Sequence, residues 1–343
     1  MPSLLEQEIH EQPRVVARLL ERETERAGRI VSELPSFTHV LIAARGTSDY
    51  AATYAKYAWA ALAGYPVALA TPSLHTLYAT PPRLNGALVV GISQSGQSPD
   101  IVAVLADGKR QNRPTLAITN DGASPLAQMA DHVIELHAGP ERSVAATKTY
   151  TAQLMVMALL AATWSGEPER LAELQSIPDA LERILAGVLD LPRQAERYRY
   201  MEQCVVIGRG YNYATAFELA LKLKELTYVG ASAYSSADFR HGPIATIEPG
   251  LPVVLIMPEG RSFDDMLALA HDVDELGAEL IVVSDSQQAG SLARTCLPLA
   301  ATVPEWLSPI TAIVPGQLLA LHLALARDYD PDTPRGLNKV TRT

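Results

Sequence analysis

The chain contains an internal repeat at a fixed separation of 164 positions, as from Gly46 to Gly210. The separation holds without gaps and aligns apolar runs, glycines and serines with one another. The matched positions are Arg45-Gly46 with Arg209-Gly210, Val89-Val90 with Val253-Val254, Gly96 with Gly260, Ser98 with Ser262, and Asp121 with Asp285. Self-similarity at one period over about half of the chain predicts two copies of one structural unit.

Each copy consists of short strands rich in Val, Ile and Leu that alternate with amphipathic helices. In the first copy we expect strands near 38–43, 66–70, 87–92, 115–119 and 132–136. This alternation is typical of a parallel sheet covered by helices on both faces. The predicted fold class is α/β, with two tandem, doubly wound, flavodoxin-like subdomains.

The same patterns divide the chain into segments. We expect an N-terminal helical segment over 1–35, a first repeat over 36–165 and a second repeat over 200–328. The stretch 166–199 is rich in Leu, Ala, Glu and Arg and is predicted to be a helical linker, and 329–343 is predicted to be a tail that closes over the site.

Composition narrows the class of protein. The 343 residues are 48% hydrophobic and 19% charged, which is enough apolar material for two folded domains. A net charge of −10 argues against a binding track for nucleic-acid phosphates. The two cysteines, Cys204 and Cys296, lack CxxC or metal-site spacing, so we expect no disulfide framework. No metal and no other cofactor is expected.

Two segments indicate where in the cell the protein is located. The N-terminus is charged and amphipathic and has no signal-peptide core. The apolar segment 306–326 is interrupted by prolines and polar residues, so we predict a strand or loop followed by a buried helix starting near Pro315, and no membrane span. A cytoplasmic protein is expected.

A serine-rich turn at 93–98 follows an apolar strand and precedes a helix that begins near Pro99. Hydroxyls and backbone N–H groups at a helix N-terminus suit a phosphate monoester, although an ordinary polar turn with Ser98 as N-cap is the alternative. Gln97 stands where a nucleotide P-loop needs lysine, and Tyr213 stands where a dinucleotide motif needs glycine. Binding of a nucleoside triphosphate or of a dinucleotide is therefore not favoured.

In the second copy the corresponding turn has become Met257-Pro-Glu-Gly260, with fewer hydroxyls and an added acid. We therefore expect only the first copy to hold phosphate.

Glu218, Lys222 and Glu225 recur at i, i+4 and i+7 and so share one face of a predicted helix. One interpretation is a solvated face held by ion pairs. The other is a polar site, because this helix follows a strand and a glycine turn, where α/β folds bind ligands. His241 follows in an Arg-His-Gly-Pro turn and suits proton transfer near neutral pH.

The chain resembles the sugar isomerase (SIS) domain family in six motifs that occur in the family's order. They are ARGTS at 44–48, SQSGQSPD at 93–100, SVAATKTY at 143–150, ALKLKE at 220–225, DFRHGP at 238–243 and PRGLNKVT at 334–341. The resemblance is to the tandem isomerase half of glucosamine-6-phosphate synthase and to stand-alone SIS-type glucosamine-6-phosphate deaminases. It implies two SIS subdomains that bind a phosphosugar.

The resemblance also implies roles for matching residues. Glu225 would move the proton between C1 and C2, with Glu218 and Lys222 as polar neighbours. His241 would open the sugar ring; in the synthases this histidine enters from the partner subunit, which implies a homodimer with shared sites. Lys339 would close over the sugar carbonyl, unless it is only a solvated lysine in a frayed tail. The implied substrate-binding positions are Gly46, Thr47, Ser48, Ser93, Gln94, Ser95, Ser98, Val144, Ala146 and Asn338.

Some positions depart from the synthase pattern. Asp238 and Ser232 stand where the synthases have Glu, and Ala146 replaces a Ser. Pro2 follows Met1, where the synthases carry the nucleophilic cysteine of a glutaminase domain, so no glutamine hydrolysis by that route is expected.

The expected reaction is hydrolysis of glucosamine 6-phosphate to fructose 6-phosphate and ammonia. The alternatives are an ammonia-dependent synthase, or an isomerase or deglycase for another phosphosugar. A non-catalytic sugar-phosphate sensor is a further alternative, disfavoured because Glu225, His241 and Lys339 are all present.

Overall fold

The computed structural model describes residues 2–188 and 190–339, and the chain divides into two compact units. Of the described residues, the first-repeat unit comprises Arg14–Glu141, Lys148–Gln175 and the pair Asn338 and Lys339. The second-repeat unit comprises residues 2–13, Arg142–Thr147 and Ser176–Leu337. The chain therefore crosses between the units several times.

Helices and strands alternate along the chain. The helices are α1 Leu4–His10, α2 Gln12–Glu33, α3 Thr47–Ala63, α4 Pro72–Thr76, α5 Pro99–Arg110, α6 Pro125–Met129, α7 Lys148–Ser165, α8 Pro168–Leu174, α9 Ile177–Gly187, α10 Leu191–Glu196, α11 Tyr213–Thr227, α12 Ser236–Arg240, α13 Phe263–Glu275, α14 Gln287–Leu292 and α15 Ser308–Ala326. The strands are β1 His39–Ala43, β2 Val67–Leu69, β3 Ala87–Ile92, β4 Thr115–Thr119, β5 His132–Glu135, β6 Gln203–Gly208, β7 Gly230–Ser235, β8 Pro252–Ile256, β9 Glu279–Ser284 and β10 Thr295–Pro298.

Each unit contains one five-stranded parallel sheet, and the two sheets have the same strand order. The orders are β2-β1-β3-β4-β5 and β7-β6-β8-β9-β10. Equivalent elements keep the separation seen in the sequence: β1 and β6 begin at 39 and 203, and α5 and α13 begin at 99 and 263. The predicted α/β class and the internal repeat are confirmed.

Burial follows strand position. Every residue of the inner strands β3 and β4 is buried, whereas β2 at the sheet edge is only partly buried. Runs such as Ala-Leu-Val-Val-Gly-Ile in β3 suit this position because a strand covered on both faces cannot alternate apolar with polar residues.

This strand order places ligand sites at a defined point of each sheet. The direction of winding reverses between β1 and β3, and in such sheets ligands bind outside the carboxyl ends of the strands at that reversal. Strand β1 leads into 44–48 and β3 leads into 93–98. The fold therefore places two of the predicted binding motifs at neighbouring strand ends.

Helix α15 corrects one prediction. It begins at Ser308, so both the expected strand or loop before Pro315 and the expected helix start near Pro315 were wrong. Pro309 lies in the first turn, where its missing N–H is tolerated, and Pro315 lies inside the helix. Among the described residues, Glu305–Ala326 is long and apolar enough to cross a membrane, but 89% of its most apolar stretch is buried within the protein, as expected for a core helix.

Candidate active site

The serine-rich turn 93–98 is held by its backbone carbonyls. The Gln94 carbonyl accepts a hydrogen bond from the Asn120 N–H at 3.0 Å, and the Gly96 carbonyl accepts one from the Leu126 N–H at 3.1 Å. The two donors lie directly after β4 and in the first turn of α6. They fix the turn at the N-terminus of α5, where backbone N–H groups favour an anion.

Gly96 is required by the shape of this turn. Its φ is +62°, and an added Cβ would lie 2.1 Å from the Ser124 hydroxyl oxygen. Ser98 occupies the N-cap position of α5, but its side chain accepts no capping hydrogen bond from the described first turn. Ser98 therefore stands at the N-cap position that the sequence predicts, without a side-chain capping bond to that turn.

Arg45 forms an ion pair at the start of the same helix. Its Nη2 lies 2.5 Å from Asp100 Oδ2, and the Thr76 hydroxyl donates to Asp100 Oδ1 at 2.8 Å. Burial raises the pKa of the Asp100 carboxyl, but the hydrogen bonds from Arg45 and Thr76 outweigh it and hold that pKa below its usual value. In the second-repeat unit Arg209 lies 3.9 Å from Asp265 in α13, so each repeat joins a strand end to a helix start by an Arg–Asp pair.

The motif after β1 begins α3. Gly46 precedes the helix with a φ of +54°, a conformation that favours glycine. Ser48 is 8% exposed, and its hydroxyl oxygen accepts a hydrogen bond from Gln153 Nε2 of α7 at 3.0 Å. Thr47 is half-buried beside it.

Lys339 is half-buried and is held in an ion pair. Its Nζ lies 2.6 Å from Glu141 Oε2, and the Glu141 side chain is fully buried. The same carboxylate accepts hydrogen bonds from the Thr149 N–H and hydroxyl. The solvated-lysine alternative is therefore wrong, whereas the neighbouring Asn338 is exposed.

The acid–base–acid face of α11 is buried. The side chains of Glu218 and Lys222 are 0% and 1% exposed, so the solvated-face interpretation is wrong. Lys222 Nζ lies 3.4 Å from Glu218 Oε1 and 2.6 Å from Glu225 Oε2. Glu225 is 21% exposed and is therefore the accessible end of the cluster. Buried charges persist only where they are paired and hydrogen-bonded.

The segment 142–147 shows alternating burial. Ser143, Ala145 and Thr147 are buried, whereas Val144 and Ala146 are half-buried. The two positions predicted to contact the sugar are thus more accessible than the three buried residues beside them.

His241 lies at the C-terminal end of the short helix α12 and is exposed. Ser235 caps this helix by accepting the Asp238 N–H at 3.1 Å, and the Ser235 hydroxyl donates to the Asp238 carboxylate at 2.6 Å. Asp238, which departs from the synthase pattern, thus helps to fix the turn that carries His241. Ser232, another departure, is exposed on β7.

Glu305 was not singled out from the sequence. Its carboxylate accepts hydrogen bonds from the Arg261 N–H at 2.9 Å and from the Ser262 N–H and hydroxyl at 3.1 and 2.9 Å. These donors belong to the turn of the second repeat that corresponds to the serine-rich turn of the first. Glu305 lies 164 positions after Glu141, so extending the repeat to these acids would have identified both.

No group of three His, Cys, Asp or Glu side chains within 2–188 and 190–339 could hold a metal ion.

Burial raises the pKa of the Cys204 thiol to about 12, so it is a structural thiol and not a nucleophile.

Two solved structures resemble the chain closely over its length. The C-terminal domain of glucosamine-fructose-6-phosphate aminotransferase from Francisella tularensis has a TM-score of 0.88 and 28% identity, covering 97% of this chain and 99% of that one. A candidate phosphosugar isomerase from Silicibacter pomeroyi has a TM-score of 0.86 and 33% identity, covering 96% and 100%.

Curated relatives are longer than this chain. The glutamine–fructose-6-phosphate aminotransferase (isomerizing) of Thermococcus kodakarensis is 36% identical over 98% of this chain and 58% of its own length. The Gloeobacter violaceus enzyme of the same name is 39% identical over 97% and 57%. The chain thus spans little more than half of these relatives. The SIS domain model matches residues 34–163 and 199–327, most of both repeats, and the chain therefore belongs to the SIS domain family.

Proposed function

We propose that the protein interconverts an aminoaldose phosphate and a ketose phosphate, and that its reaction is the hydrolysis of glucosamine 6-phosphate to fructose 6-phosphate and ammonia. The observation that carries the proposal is the buried Lys222 ammonium between Glu218 and the accessible Glu225. A carboxylate held in this way is oriented to remove a proton from one carbon and return it to its neighbour.

The other groups fit the remaining steps. The serine turn 93–98 and Ser48 would bind the phosphate, and the half-buried Val144 and Ala146 would present backbone groups to the sugar. His241 would transfer a proton at the ring oxygen, which opens the ring to the aldehyde. Glu225 would then move the proton from C2 to C1, while the carbonyl oxygen gains a proton and the amine loses one, which leaves a hydroxyl at C1 and an imine at C2. Water would add to this imine, and the C–N bond would break as ammonia leaves and the C2 ketone forms.

Lys339 would act near the sugar carbonyl as a cation. Its ion pair with the buried Glu141 supports a fixed position for the ammonium. The exposed Asn338 beside it would contact the substrate.

The synthetic direction is the second candidate, because relatives that share 36–39% identity are named glutamine–fructose-6-phosphate aminotransferases. Synthesis needs a source of ammonia, whereas hydrolysis needs only water. Assays in both directions distinguish them: glucosamine 6-phosphate with detection of ammonia, and fructose 6-phosphate with ammonium and detection of the aminosugar.

The decisive variant is Glu225→Gln, with the exposed Glu202→Gln as matched control. Loss of the proton-transfer group should lower kcat by about 10²–10⁴-fold while binding of fructose 6-phosphate, measured by calorimetry, remains. The control should keep wild-type turnover. A wild type that binds the sugar phosphate but gives no product in either direction would refute the enzyme and support a sensor.

We further propose a cytoplasmic homodimer in which His241 enters the partner's site, with no nucleic-acid or membrane partner. The exposed position of His241 at the end of α12 supports this arrangement.

A further inference from the structure

Helix α1, outside both repeats, is tied to the segment 142–147. Glu8 of α1 is 5% exposed. Its Oε1 accepts the Arg142 N–H at 2.5 Å and its Oε2 accepts the Ser143 N–H at 3.2 Å. A buried carboxylate is costly unless it is hydrogen-bonded, so these two bonds fix the backbone at the start of the segment.

The other end of the segment is held by two buried amides. Gln12 Nε2 donates to Gln317 Oε1 at 2.9 Å, and Gln317 Nε2 lies 3.5 Å from the Thr147 carbonyl oxygen. Between these ends lie Val144 and Ala146, the accessible positions. The segment is thus a short span fixed at both ends by groups far away in sequence.

Helix α1 is itself anchored to the C-terminal region. The Asp332 carboxylate accepts the N–H groups of Leu4 and Leu5, each at 2.8 Å, and the Ser3 hydroxyl accepts the Glu6 N–H at 3.1 Å. A helix of 7 residues is not stable alone, so this cap and its packing on α15 hold it in place.

The same C-terminal stretch also contacts α11. The Arg335 N–H donates to the Tyr228 hydroxyl oxygen at 2.8 Å, and the Arg335 guanidinium lies 3.9 Å from the centre of the Tyr228 ring. Tyr228 is three residues after Glu225, and Asp332 is seven residues before Lys339.

We propose that Glu8 is a positioning residue that presents the 142–147 backbone to the sugar, and that α1 makes this loop dependent on the cap provided by Asp332. The proposal rests on the proposed function, because it takes Val144 and Ala146 as substrate contacts. Glu8 does not touch the reacting atoms, and its removal should weaken binding of substrate and transition state alike.

The test compares Glu8→Gln with Glu6→Gln, which removes a half-buried carboxylate from the same helix. In Glu8→Gln one acceptor oxygen becomes an NH₂ group that cannot accept an N–H. We expect KM for glucosamine 6-phosphate to rise about tenfold with kcat within about twofold. Amide hydrogen exchange at Arg142 and Ser143, followed by mass spectrometry, should become faster. The Glu6→Gln protein should match the wild type in both.

If Glu8→Gln does not fold, Asp332→Asn carries the same test, with faster exchange at Arg142 and Ser143 and a smaller rise in KM. Suppose that the wild type is active and that the folded Glu8 variant keeps its KM or keeps slow exchange at these two amides. This result would overturn the proposed role of Glu8 but not the proposed function. A wild type that neither binds nor converts the sugar phosphate would overturn the proposed function, and with it the role of Glu8.

Discussion

Replacing Lys222 by Met tests whether the α11 cluster is a true buried charge network. The Lys222 ammonium is 1% exposed and lies 2.6 Å from Glu225 and 3.4 Å from Glu218. At an effective dielectric constant of about 20, each attraction is on the order of 5 kcal/mol before desolvation. Removing one partner of such a buried group costs about 3–5 kcal/mol, because the carboxylate of Glu218 stays buried without its ammonium.

We therefore expect Lys222→Met to lower the free energy of unfolding by about 3–5 kcal/mol, measured by urea denaturation with circular dichroism. The double variant Lys222→Met with Glu218→Leu should recover most of this loss, since it removes the stranded charge. Hydrogen exchange of the α11 amides locates the effect in this helix.

Lys224→Met is the matched control, because Lys224 is an exposed lysine on the same helix. Its free energy of unfolding should change by no more than about 0.5 kcal/mol. The reasoning is refuted if Lys222→Met costs no more than the control, or if adding Glu218→Leu deepens the loss.

Three further predictions concern other parts of the chain. Mixing inactive Glu225→Gln and His241→Ala proteins, then allowing subunit exchange, should restore about a quarter of wild-type activity if His241 serves the partner's site, and none if it serves its own. Glu305→Gln should lower the free energy of unfolding by about 1–2 kcal/mol in urea, because charged hydrogen bonds to two backbone N–H groups are weakened. The pKa of Asp100 is lowered in the folded state. The free energy of unfolding lost in Arg45→Met should therefore be fully present at pH 6 and should decrease below about pH 4, where the Asp100 carboxylate becomes protonated.

Control measurements accompany the predictions for Glu305 and Arg45. Glu259→Gln removes an exposed acid from the turn that Glu305 contacts and should leave stability unchanged. A difference between wild type and Arg45→Met that grows as the pH falls would contradict the sign of the Asp100 shift.

The fold was largely predictable because it is repeated. Apolar runs spaced by 164 residues marked equivalent strands in both copies, and the two sheets have the same strand order. The start of α15 was missed because Pro315 was taken as a helix start, although a proline can also lie within a long buried helix.

The site was only partly predictable. Spacing put Glu218, Lys222 and Glu225 on one helix face, but could not say whether that face was buried. Glu8 gives no such signal, since its partners at Arg142 and Ser143 are more than 130 residues away and are backbone groups. Contacts of this kind depend on the packing of α1, which local patterns do not encode.

Glu141 and Glu305 occupy the same position of the repeat but have different partners. Glu141 meets Thr149 and Lys339, whereas Glu305 reaches into the turn before α13. Gly260 makes room for it, as an added Cβ there would lie 2.5 Å from Glu305 Cδ. The second turn thus carries a tethered anion of its own, and any dissolved phosphate would have to displace a carboxylate present at a very high effective concentration.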